Sequence, residues 1–145
     1  MRRSNNQRGI ALVETALTIP MLLLVAAGIC EFGRAYQTWL VLSNASREAA
    51  RIAILPNGAP SDPTTRALHY MQDGGLQNAG SAVVTVNKAA SFVVNGSNVS
   101  ATQVSIDYPF EFTVLQPVAR LIQPTTTLGS ALTIHTKSLM RNEAP

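Results

Sequence analysis

The sequence predicts an α+β protein, a long N-terminal helix carrying a small head with one short helix and an antiparallel sheet of about four strands. Three observations carry this. Ile10–Cys30 reads IALVETALTIPMLLLVAAGIC, an apolar stretch with a single charge, Glu14. Helical spacing then continues, with no further proline until Pro56. Beyond residue 80 the apolar period changes from helical to two, with turn residues between the runs. The organisation that follows is a basic leader over 1–9, a helix over 10–55 and a head over 56–145.

Charge is placed rather than spread. Of 11 basic residues, three (Arg2, Arg3 and Arg8) lie in the first nine positions with no acid among them. The rest of the chain is neutral, so the high pI reports a basic tip and not the clustered positive face that nucleic-acid binding needs. A basic tip before an apolar segment holds an N-terminus on the cytoplasmic side. Arg2-Arg3 lacks the context of a twin-arginine signal. Cys30 is the sole cysteine, which excludes an internal disulfide and a thiolate cluster. Bulky Ile29 before it fits a lipid-attachment signal poorly.

A helix of about 20 residues crosses the hydrocarbon core of a bilayer, so 10–30 is read as a membrane span. The run is longer than the apolar core of a cleaved secretory signal, and helical patterning does not stop after it. Residues 31–55 form an amphipathic continuation. Phe32, Tyr36, Trp39, Leu40 and Ser43 follow helical spacing, as do Ala49, Ala50, Ala53 and Ile54, while Arg47 and Arg51 lie on another face. Tyr36 and Trp39 fall just past the span, near where interfacial aromatics sit. Pro20 has no N–H to bond Ala16 and marks a kink, read either as tolerated in a membrane helix or as a soft spot that lets the helix extend. Pro56-Asn57-Gly58 ends the helix.

In the head, Asp62-Pro63 reads as an N-cap followed by proline at the first helical position, and Gly74-Gly75 ends that helix. Ala82–Asn87 and Ser91–Val94 read as two short strands, followed by a turn at Asn95–Asn98. Val99–Tyr108 reads as the third strand. Pro109 lacks a ladder donor and predicts an edge or a bulge. Pro117–Gln123 is read as one or two helical turns, and Leu132–Ser138 as the last strand. The sheet is expected to pack on the amphipathic half of the long helix, giving Ala49, Ala53 and Ile54 a partner.

No catalytic constellation is found. His69 and His135 belong to no metal-spaced pair, and no nucleophile elbow, P-loop or dinucleotide fingerprint is present. Asp107 and Glu111 are four apart across a proline, and exposed strand acids are the simpler reading. No catalytic residue, metal ligand, cofactor or small-molecule substrate is assigned, and the protein is read as non-enzymatic.

The order of a basic leader ending at Gly9, an apolar helix from Ile10 and a glutamate at position 14 resembles the type IV pilin-like proteins. RGIALVETALTIPMLLLVAAGICEFGRA and LSNASREAARIA are similar to the N-terminal signature of the TadE-like family, minor pilins or pseudopilins of tight-adherence (Flp-type) pili. SIDYPFEF and LMRNE resemble that family's later segments, and the length suits a TadE-type rather than a larger TadG-type chain. Thr15 stands where an aromatic is usual, and Ile10 is bulkier than the common alanine.

The resemblance implies cleavage by a prepilin peptidase between Gly9 and Ile10, with Glu14 kept in the mature chain. Cleavage would create a positive α-amine at Ile10. An unpaired carboxylate in low dielectric is costly, and a neighbouring subunit's amine could neutralise Glu14 and fix axial register between helices. The competing reading has Glu14 reaching the cytoplasmic headgroups from one turn inside the span. The resemblance further implies a bacterial inner-membrane, single-pass protein with a cytoplasmic N-terminus and a periplasmic head, partnered by the peptidase, the major pilin and other pseudopilins, and open to incorporation into an extracellular pilus. The alternative is an uncleaved membrane anchor with a periplasmic binding or scaffold head.

Overall fold

The computed structural model describes residues 4–55, 62–122, 125, 127 and 130–142. Helix α1 runs unbroken over Ser4–Ala53, with Pro20 inside it. It is therefore about 75 Å long at about 1.5 Å per residue. It begins earlier than the sequence suggested, within the leader, and ends two residues sooner. The expected stop at Pro56–Gly58 lies outside the described residues.

The chain divides into two compact units, Met1–Arg34 with Phe112–Gly129, and Ala35–Glu111 with Ser130–Pro145. The second unit holds the sheet. Helix α2, Pro63–Asp73, starts as its sequence dictates: Asp62 is extended, and its carboxylate accepts the Thr65 N–H at 3.1 Å. Pro63 takes the first-turn position, where no N–H is needed. Gly75, with φ of 80°, allows the left-handed exit through which the Leu76 N–H reaches the Met71 carbonyl.

The sheet is antiparallel, in the order β1 (Val83–Val94), β2 (Ser97–Phe110), β3 (Leu132–Arg141). It has three strands where about four were expected. The two short strands read at Ala82–Asn87 and Ser91–Val94 are one strand, interrupted by a register shift between Asn87 and Ala90. The Asn87 side chain accepts the Ala89 N–H at 3.0 Å and stabilises this bulge. What looked like a break in alternation is one extra residue. The β1–β2 turn uses Asn95 and Gly96, both at positive φ, as a two-residue hairpin of this twist requires.

Pro109 behaves as an edge residue although β2 is the central strand. The β1 ladder ends at Val83 opposite Asp107, so Pro109 has a strand neighbour on one side only, Thr133 of β3.

Alternation along β2 sends Val104, Ile106, Tyr108 and Phe110 into the core. Leu42, Ala45, Ala49, Ala50 and Ala53 of α1 and Ala67 and Met71 of α2 are buried in the same unit. The small residues at 45, 49, 50 and 53 let α1 approach closely. Ala49 and Ala53 are buried as expected, and Ile54 is half-buried. The Val41 side chain comes so near Gly74 that a Cβ there would lie 2.5 Å from Cγ1. Phe32, Tyr36, Trp39 and Leu40, which share helical spacing, are exposed, and the buried positions of α1 include Thr38, Leu42 and Ala45 besides Ala49.

Candidate processing and assembly site

Gly9 and Ile10 lie inside α1, and a Cβ placed on Gly9 would meet nothing within 4 Å. Ile10 is exposed, as are Leu12, Val13, Leu17 and the large apolar residues of positions 21–25. Glu14 is exposed, one helical turn from Ile10, and its carboxylate has no hydrogen-bond or ion-pair partner among the described residues. Thr15 and Thr18 hide their hydroxyls in the helix, donating to the Ala11 and Glu14 carbonyls at 2.7 Å each. That internal bonding lowers the cost of placing threonines in hydrocarbon. Helix assignment continues through Pro20. The geometry thus gathers Gly9, Ile10 and Glu14 on two adjacent turns, with Pro20 further along the same uncovered helix.

A second polar centre escaped the sequence reading. Glu31, directly after the apolar run, is 2% exposed. One carboxylate oxygen takes Arg34 Nη1 at 2.7 Å, and the other accepts the Val114 N–H. Arg34 Nη1 also donates to Thr113 Oγ1 at 2.6 Å. Val114 precedes α3, Leu115–Ile122, so Glu31 satisfies a backbone donor at that helix's start from a residue over 80 positions away. Pro117, in the first turn of α3, needs no N–H partner. The signal available beforehand was the i,i+3 spacing of opposite charges at the end of a span.

Elsewhere, His135 Nδ1 lies 2.6 Å from Asp107 Oδ1, a cross-strand pair on the exposed face of the sheet. Ser46 and Thr102 are buried and bonded, to the Ser43 carbonyl and to Asn142. Among the described residues no group of three or more His, Cys, Asp or Glu is placed to hold a metal ion.

Among the described residues one helix, from Gly9, is long and apolar enough to cross a membrane, and none of its most apolar window is buried. Fold and site thus define a class: a small α+β head on an uncovered, membrane-length N-terminal helix. The family model described as TadE-like protein matches residues 9–51, and that stretch of the chain is similar to the family. The match opens at Gly9 and takes in Glu14, Pro20 and the Glu31–Arg34 pair. No curated protein and no solved structure is significantly similar to the chain.

Proposed function

We propose that the protein is a minor pilin, or pseudopilin, of a tight-adherence pilus, non-enzymatic, and processed by a prepilin peptidase between Gly9 and Ile10. It sits in the inner membrane with its N-terminus cytoplasmic and its head periplasmic, and joins, primes or caps the pilus through α1. The peptidase, the major pilin and other pseudopilins are its partners. One observation carries this reading: a TadE-like match that opens at Gly9 falls on a helix whose apolar surface and whose Glu14 carboxylate have no partner among the described residues. A surface of that size stays uncovered in a monomer only where lipid or other subunits cover it.

Glu14 then has two environments. In the membrane it lies one turn inside the apolar stretch, near the headgroups. In a filament it would meet the Ile10 amine of a neighbour, a buried pair that specifies register. Intact-mass measurement of membrane and pilus fractions is expected to show a chain beginning at Ile10. Glu14→Ala is expected to leave membrane insertion intact and to reduce incorporation about tenfold, the effect of about 1.4 kcal/mol of lost pairing. Functional material that retains the full leader would overturn the reading in favour of an uncleaved anchor.

A further inference from the structure

The apolar run ends at Cys30, but the uncovered apolar surface of α1 does not. At about 100° per residue, Glu31, Thr38, Leu42, Ala45 and Ala49 fall within one arc of about 60°. Ile29, Phe32, Tyr36 and Trp39 fall in another arc, centred roughly 130° away. The first arc is buried and carries the Glu31 carboxylate. The second is bare, with Phe32 73% exposed, Tyr36 62% and Trp39 45%. Tyr36 and Trp39 stack with ring centroids 5.9 Å apart. Along the same helix this stripe is continuous with the bare apolar residues that begin at Ile10.

We propose that this stripe is a lipid-contact face, and that α1 meets the bilayer from Ile10 to Trp39 rather than stopping at Cys30. Length supports the longer register. Thirty residues of helix rise about 45 Å, against about 40–45 Å for a bilayer with its headgroup layers and about 30 Å for its hydrocarbon core. Glu14 then occupies one headgroup layer and the Tyr36–Trp39 pair the other, where amphipathic rings partition. Glu31 and Arg34 would ordinarily forbid this register. They are admitted because the carboxylate is neutralised by the guanidinium and capped by the Val114 N–H, and because both side chains leave the lipid-facing arc to Phe32.

The inference rests on the membrane insertion in the functional reading above, and its test separates the two. Trp39 is the only tryptophan, so the native chain carries its own probe. The full chain is reconstituted into phosphatidylethanolamine–phosphatidylglycerol vesicles, checked by flotation, and its emission is quenched with acrylamide from water or with lipids brominated near the headgroup. Were the span to end at Cys30, Trp39 would stand about 13 Å beyond the hydrocarbon core, past a headgroup layer of about 5–8 Å. The longer register predicts blue-shifted emission, loss of most of it to shallow bromolipids, and little loss to acrylamide, at every protein-to-lipid ratio. A chain that floats with the vesicles yet is quenched by acrylamide and not by bromolipid overturns the inference and leaves membrane insertion standing. Protection that disappears as protein is diluted in lipid overturns it in favour of a second copy on the stripe. A chain that fails to float removes the membrane reading itself, and this inference with it.

Discussion

The two halves of α1 are built from similar apolar residues and treated oppositely. From Ile10 to Ile29 the large side chains are exposed; from Leu42 to Ala53 one stripe is sealed in the core of the sheet-bearing unit. What separates them is the size and spacing of side chains on one face. Leucine, isoleucine and valine surround the first half, whereas Ala45, Ala49, Ala50 and Ala53 make a narrow, flat strip in the second. Large residues all round cannot be buried by one small head, so the first half stays exposed among the described residues.

The sharpest test of that contrast is one substitution made twice in the full chain in detergent. Leu42→Ala should cost about 2–5 kcal/mol, because Leu42 is fully buried and its removal leaves a cavity, and should lower the midpoint of thermal unfolding by many degrees. Leu23→Ala, at an exposed position, should change that midpoint little, within about 0.5 kcal/mol. Equal effects would break the distinction between the halves.

Glu31→Ala should come next, at about 2–3 kcal/mol, since it leaves the Val114 N–H without its acceptor and Arg34 without its carboxylate. Glu31→Gln retains an acceptor and should cost less. The readout is amide hydrogen exchange across 113–122, which should rise in the order wild type, Gln, Ala. Gly74→Ala should cost about 1–3 kcal/mol by pushing on Val41, a stiff β-branched side chain unable to swing aside cheaply. A Val41→Ala background should restore most of that loss, and a double-mutant cycle measures it.

Much of this was legible in sequence, for identifiable reasons. The cap at Asp62 and the exit through Gly74-Gly75 depend on local chemistry and were read correctly; the turn read at Asn95–Asn98 is centred on Asn95 and Gly96, with Ser97 and Asn98 already in β2. The strand count was not, because an inserted residue and a turn interrupt alternation in the same way until the partner strand is seen. The packing of Ala49 and Ala53 was legible from helical spacing, whereas Leu42 and Ala45 were not singled out, because spacing groups residues on a face without saying how far along the helix that face is covered. Glu31 was passed over since its meaning depends on Thr113 and Val114, about 80 residues away.

The bulge between Asn87 and Ala90 acts as a frameshift in the strand's two-residue reading. Before it, Val84 and Val86 pair with Ile106 and Val104 and look toward the core; after it, Ala90 and Phe92 pair with Ala101 and Val99 and look the other way. Even-numbered residues of one strand therefore address two audiences. The outer end of the hairpin carries an apolar pair on the side that elsewhere shows Ser105, Asp107 and His135. One surplus residue has given a three-stranded sheet a second polarity without a second sheet.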